Sequence, residues 1–243
     1  CPLFTRCGGC WWQHLPVDTQ EHWKERIVRE AIYPVTSKNP GEIEFEPMVA
    51  SPRPFHYRNK MEFTFGQEVE GGKLKLGFHM PGNWKHILDV EKCWLHPEPF
   101  NDLLDSARRE GKRQNLEAWN PVRHHGMLRQ LLVRWSEHEQ KALIAILTGR
   151  REGFDFEAFR RAVVEAFPWV KGVVWGLNAQ RSDVARPEEI LDTWGDDMLE
   201  ERLGGLRFRV SLQSFFQTNT TGAYELYSVA KDYLELTGTE RLF

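Results

Sequence analysis

Apolar and polar positions repeat along this chain with two periods, and the switches between them mark its elements. Trp23, Ile27, Val28 and Ala31 recur at helical spacing, and Asp18 followed by Glu21 is a capping signal. The pattern therefore predicts a helix from about Val17 to Ile32. Pro34 and the loop Ser37–Gly41 are expected to end it, and Glu44–Val49 reads as a short strand. Met61–Phe65 alternates apolar with polar, Gly71-Gly72 supplies a turn, and Leu74, Leu76 and Phe78 return, which predicts a hairpin. A helix follows over Pro97–Glu117, with Pro97 near its start. Leu128–Trp135 and Ala142–Leu147 read as adjacent strands joined by Ser136–Lys141. Phe156, Phe159, Val163 and Phe167 form a helical stripe within Phe154–Phe167. Val170–Leu177 and Leu206–Leu212 read as strands. A last helix is predicted over Thr221–Leu234, with Ala223, Leu226, Tyr227, Ala230 and Leu234 on one face. Hairpins mixed with packed helices predict an α+β fold rather than repeated βαβ units.

Composition narrows the class without naming a partner. A chain of 243 residues holds one large domain or two modest ones. Hydrophobic content is 41% and no apolar run reaches membrane-spanning length. No internal repeat, low-complexity stretch, P-loop or glycine-rich cofactor loop is present. With 32 basic against 35 acidic residues, the net charge of −3 argues neither for nor against nucleic acid. Basic clusters are local: Arg53, Arg58 and Lys60; Arg123, His124, His125 and Arg129; Arg150 and Arg151. Most of the ten tryptophans are expected in cores or interfaces. The chain opens at Cys1 without a basic leader or apolar stretch, so preceding sequence is expected to be missing and the cytoplasm is the expected compartment. A monomer is the default expectation.

Cysteine use changes the picture. Three of the four cysteines, Cys1, Cys7 and Cys10, open the chain, and Cys93 stands alone. Four thiolates suit either a cubane iron–sulfur cluster or tetrahedral zinc. Three close ligands with one remote favour the cluster, because zinc sites usually pair two Cys-x2-Cys knuckles. Gly8 and Gly9 free the turn between Cys7 and Cys10 to aim backbone N–H groups at sulfur. Two further segments carry candidate chemistry. In Tyr57-Arg58-Asn59-Lys60 a ring lies beside a fork of donors suited to a base edge or a phosphate. In Ser214-Phe215-Phe216-Gln217-Thr218-Asn219 two aromatics adjoin two amides. Alone, each reads more readily as a surface ion pair or a capped helix start over buried rings.

Taken in order, Cys1-Pro2-x4-Cys7-Gly8-Gly9-Cys10, Gln13-His14, Tyr57-Arg58-Asn59-Lys60, Cys93, His125-Gly126-x-Leu128-Arg129 and Phe216-Gln217-x-Asn219 resemble the RNA 5-methyluridine methyltransferases, especially the branch acting on 23S ribosomal RNA. That resemblance implies a four-iron, four-sulfur cluster on Cys1, Cys7, Cys10 and Cys93. It implies that Gln217 binds S-adenosylmethionine, that Arg58 helps hold the target uridine, and that Phe215 lies close to the RNA. Residues 1–12 and 46–213 would form the central iron–sulfur, RNA-recognition domain. Residues 13–45 and 214–243 would belong to a Rossmann-like methyltransferase domain, the early helix packing there. The family adds a cysteine thiolate to C6 of uracil, and a carboxylate later removes the C5 proton. With all four cysteines assigned to the cluster, no catalytic residue is expected in this chain. The glycine loop beyond Glu240-Arg241-Leu242-Phe243 and the small barrel ahead of Cys1 would likewise lie elsewhere. Expected partners are RNA, ribosomal rather than transfer, and no membrane. Two rivals are a redox or electron-transfer cluster protein and a zinc-stabilised RNA-binding module.

Overall fold

The structure, a computed structural model, describes residues 1–38, 41, 43–69 and 71–241. The order is α1 (Val17–Thr36), β1 (Lys60–Gly66), β2 (Lys75–Met80), β3 (Asn83–Asp89), α2 (Pro99–Arg113), β4 (Leu128–Ser136), β5 (Lys141–Thr148), α3 (Phe156–Ala166), β6 (Val170–Leu177), β7 (Glu189–Gly195), β8 (Met198–Leu203), β9 (Leu206–Ser211) and α4 (Thr220–Tyr233).

Seven strands form one sheet in the order β3-β2-β1-β4-β5-β6-β7, and β8 pairs with β9 apart from it. Every described pairing is antiparallel except β5–β6, which α3 connects as a single βαβ crossover. The expected α+β fold is thus a mixed sheet with one parallel step inside it.

The sheet is central because its middle strands are apolar on both faces. All nine residues of β4 are buried, although Arg129, Gln130, Arg134 and Ser136 interrupt its apolar run and are held by hydrogen bonds. Phe63, Leu131, Val133, Ile144 and Ile146 face α2 and α3, where Phe100, Leu103, Phe159 and Val163 close the main core. On the opposite face Leu132, Leu143, Ala145 and Val174 meet Leu199 and Leu212. Hydrogen bonds fix that second layer. Ser136 Oγ donates to Glu200 O (2.6 Å), and the buried Glu201 carboxylate accepts from the backbone N–H groups of Glu137 (2.9 Å) and His138 (3.1 Å).

Several expectations need correction. Glu44–Val49 forms no strand; no described strand lies beside it, and an unpaired extended run is coil. Helix α1 runs through Pro34 to Thr36. Proline there removes only its own N–H, and Ser37 N still donates to Tyr33 O (2.8 Å). Of the loop expected after it, Asn39 and Pro40 lie outside the described residues, as do Leu242 and Phe243. Strands β3, β7 and β8 escaped the pattern. The edge strands β3 and β7 are largely exposed, so neither carries a clean alternation.

Helices α1 and α4 are the exception to this packing. The first buries no residue and the second buries only Thr220 and Ala223. Trp23, Ile27, Val28, Leu226 and Tyr227 are exposed although the helical period places them together. Among the described residues no helix is long and apolar enough to cross a membrane.

Candidate functional site

The first ten residues wind into tight turns, with Phe4 N donating to Cys1 O (3.2 Å) and Cys7 N to Leu3 O (2.9 Å). Sulfurs in this winding already accept N–H groups. Gly9 N points at Cys7 Sγ (3.4 Å) and Gln13 Nε2 at Cys10 Sγ (3.3 Å). At Gly8 a Cβ would come within 3.0 Å of the Pro81 ring. Across the cleft, Leu95 N points at Cys93 Sγ (3.5 Å), and Asn101 of α2 holds the Cys93 N–H through Oδ1 (3.0 Å). All four cysteines are free thiols, and all four line one cleft of about 900 Å³.

Four free thiols lining one cleft are donors of the type that a zinc ion or an iron–sulfur cluster takes. Burial first, then the negative charge of Cys93 and Cys7, raises the Cys10 thiol above its ordinary range; burial raises Cys93. Thiols crowded this way hold their protons until a positive centre compensates the thiolates. N–H groups aimed at sulfur are the support such ligands take. Among the described residues, no three His, Cys, Asp or Glu side chains gather as ligands of a single metal ion.

The Arg58 segment meets this cleft because it pairs with the chain just after Cys93. His56 N donates to Trp94 O (2.7 Å) and Arg58 N to Leu95 O (2.8 Å). The Arg58 side chain lines the cleft, its Nε donating to Lys60 O (3.2 Å). On its other side the same segment bridges to the start of α4. Asn59 N donates to Thr218 O (2.8 Å), and Asn59 Nδ2 donates to Gln217 O (2.8 Å) and Thr220 Oγ1 (3.0 Å). Arg58 and Asn219 form an isolated bridge. Asn219 caps α4, its Oδ1 accepting from Gly222 N (2.9 Å).

Arg134 anchors the turn before this segment. Its Nη1 donates to Ser211 O (2.8 Å) and Ser214 O (2.5 Å), and burial lowers its pKa to about 10. The turn thrusts Phe215 outward, 87% exposed on the cleft wall, while Phe216 turns in to meet Phe208 edge-on (5.6 Å).

The structure therefore brings Cys1, Cys7, Cys10, Cys93, Arg58 and Phe215 to one cleft. Gln217 does not line it; its backbone carbonyl is held by Asn59 instead. Sequence reasoning missed Trp11, 81% exposed on the same cleft beside Cys10. An aromatic following a ligand cysteine was the only available signal. It also missed the role of Asn59, which depends wholly on distant partners.

No protein-family profile matches the chain. It is 35% identical over 236 residues to an uncharacterized RNA methyltransferase of Clostridium acetobutylicum, covering 96% of this chain and 51% of that protein. It is 32% identical over 264 aligned residues to an uncharacterized RNA methyltransferase of Porphyromonas gingivalis, covering 100% and 55%. The chain thus spans about half the length of the curated relatives it matches. Its fold is shared with the Pyrococcus abyssi tRNA (uracil-54, C5)-methyltransferase in complex with S-adenosyl-L-homocysteine. That match has a TM-score of 0.74 at 22% identity and covers 94% of this chain and 51% of the other. In sequence and in fold, the chain resembles half of an RNA methyltransferase.

Proposed function

We propose that this chain is the cluster-bearing, RNA-holding portion of an RNA (uracil-C5) methyltransferase acting on ribosomal RNA in the cytoplasm, as a monomer. One observation carries the reading. The Arg58 segment and the Gln217 segment, 158 residues apart at the Asn59–Gln217 bond, are hydrogen-bonded together at the rim of a cleft lined by four thiols. Nothing in a generic redox or zinc module asks for that junction.

In this reading Arg58 presents its guanidinium to the target uridine, and Phe215 offers an exposed ring on which a base stacks. Gln217 turns toward S-adenosylmethionine, which supplies the methyl group. C5 of uracil is a poor nucleophile until a thiolate adds to C6. Methyl transfer then forms the C5–CH3 bond, a base takes the C5 proton, and the thiolate leaves. The thiolate, the base and the remaining cofactor contacts belong to the half of the relatives that this chain does not span.

Cys1, Cys7, Cys10 and Cys93 would hold a four-iron, four-sulfur cluster with a structural role, since methyl transfer from a sulfonium moves no net electrons. Residues 13–45 and 214–243 would belong to the methyltransferase domain and residues 1–12 and 46–213 to the central domain, a division that the exposed faces of α1 and α4 support.

The full-length protein carrying this chain tests the reading. Incubated with methyl-labelled S-adenosylmethionine and 23S ribosomal or transfer RNA transcripts, it is expected to form 5-methyluridine in the ribosomal RNA. Arg58→Ala should cut kcat/KM by at least about tenfold, the effect of losing one charged hydrogen bond to substrate. Label in transfer RNA alone would reassign the substrate, and label in any other nucleoside would reject the chemistry.

A further inference from the structure

A second cleft, of about 510 Å³, opens at the other end of the same sheet face. The thiol cleft takes Lys60, Met61 and Glu62 of β1, the second takes Thr64, Phe65 and Gly66, and His79 lines both. The two are therefore neighbours along one strand, roughly 13 Å apart at about 3.3 Å per residue.

Among the described residues, three polar atoms in the walls of this cleft have no partner, the Nε of Arg129 among them. Gln130, only 2% exposed, donates through Nε2 to Asp183 Oδ1 (2.8 Å), while its Oε1 accepts nothing. The buried indole Nε1 of Trp119 donates to nothing. Leaving a buried donor and a buried acceptor unmet is costly, and native proteins rarely do so without a ligand or water to meet them.

The walls are also held rigidly. The Arg129 guanidinium lies under Trp119 (4.6 Å) and is pinned by the carbonyls of Asn178 (2.7 Å), Gln180 (2.5 Å) and Ser182 (2.7 Å). Asn120 Oδ1 accepts from Val122 N and Arg123 N (both 2.9 Å), and Asn120 N donates to His125 O (2.7 Å). His124 sits at φ 54°. Gly126 sits at φ 121°, where a Cβ would lie 2.3 Å from Ala118 O. Strain of this kind persists where the surroundings over-determine a loop, commonly at binding sites. At the mouth Trp84 is 56% exposed, with Lys85 beside its ring (5.7 Å).

We propose that this cleft receives a second nucleobase of the single-stranded RNA whose target uridine enters the thiol cleft. The inference rests on the RNA-binding reading above. Two unmet N–H donors and one unmet carbonyl acceptor in the same lining complement a base edge that carries acceptors and a donor. An exposed tryptophan at the rim supplies the stacking face by which single-stranded RNA is held. The site recognises a base rather than a phosphate, so it adds discrimination at a position a few nucleotides from the target.

The test uses the full chain and a fluorescein-labelled twelve-nucleotide single-stranded RNA containing uridines, with affinity read by anisotropy across a salt series. Trp119→Phe deletes the orphaned N–H and keeps an aromatic ring, though a smaller one. Trp84→Ala removes the exposed ring without touching the core. Each is expected to weaken binding by about tenfold while leaving the slope of log affinity against log salt unchanged, because no phosphate contact is lost. Arg58→Ala serves as the control for the reading beneath the proposal. If it weakens binding while Trp119→Phe and Trp84→Ala bind as the parent does, the orphaned atoms hold water only and the second site is overturned, with RNA binding intact. If Arg58→Ala also binds as the parent does, RNA binding in the thiol cleft fails and takes this proposal with it.

Discussion

Asn59 is a small buried amide, 3% exposed, between two segments that look unrelated in sequence. Its side-chain N–H groups reach Gln217 O and Thr220 Oγ1, and its own carbonyl accepts from Trp135 N (2.8 Å). One residue thus sets the spacing between Arg58 and Gln217. Asn59→Ala removes two hydrogen bonds and leaves the Gln217 carbonyl short of a buried donor. The expected loss is about 2 kcal/mol of unfolding free energy, at about 1 kcal/mol per bond, measured by denaturant titration. An unchanged midpoint would mean that backbone pairing alone holds the two segments. At this scale the sequence showed which residue types carry chemistry, through the cysteine spacing and the Arg58 and Gln217 segments. It could not show Asn59 as their link, because every partner is supplied by the fold.

Among elements, the end of β2 is tied to the loop after β6 by one ion pair. His79 Nε2 lies 2.6 Å from Asp183 Oδ2, and its Nδ1 lies 2.5 Å from Trp84 O. The Asp183 hydrogen bond, chiefly, raises the His79 pKa above its ordinary value. A raised folded-state pKa contributes stability that is fully present below the unfolded value of about 6.5 and fades as pH rises through the folded value. Asp183→Asn should therefore lower the melting temperature at pH 5.5 and leave it nearly unchanged at pH 8.5. Equal losses at both values would show that His79 carries no charge in this contact. Strong periods made most elements legible: α2, α3, β4 and β5 bury the stripes their sequences display. The edge strands β3 and β7 were not legible, since a strand exposed on both faces has no reason to alternate. Helices α1 and α4 show the converse, with periods plain in the sequence and faces left open in the fold.

For the whole molecule, the proposed cluster joins the opening turns to a loop more than eighty residues away, between Cys10 and Cys93. Closing so long a loop with a metal centre makes cluster binding part of folding. Cys93→Ser, reconstituted anaerobically with iron and sulfide, should melt several degrees below the parent. For a chain of this size each kcal/mol lost is worth about 2–4 °C. The two should melt alike when neither is reconstituted. A colourless protein that purifies with zinc would replace the cluster by a single-ion site, and an unchanged melting temperature would deny a structural role.

By itself the sequence determined the chemistry on offer and most local structure, because ligand spacing, capping residues and hydrophobic period all act over a few residues. Only the tertiary structure decided that four thiols, one arginine and an exposed phenylalanine share a cleft, that Gln217 does not line it, and that a second cleft with unmet polar atoms lies beside it. Those facts depend on strand order and on hydrogen bonds between segments up to 168 residues apart. Such contacts arise from how the layers close on one another, which no local pattern encodes.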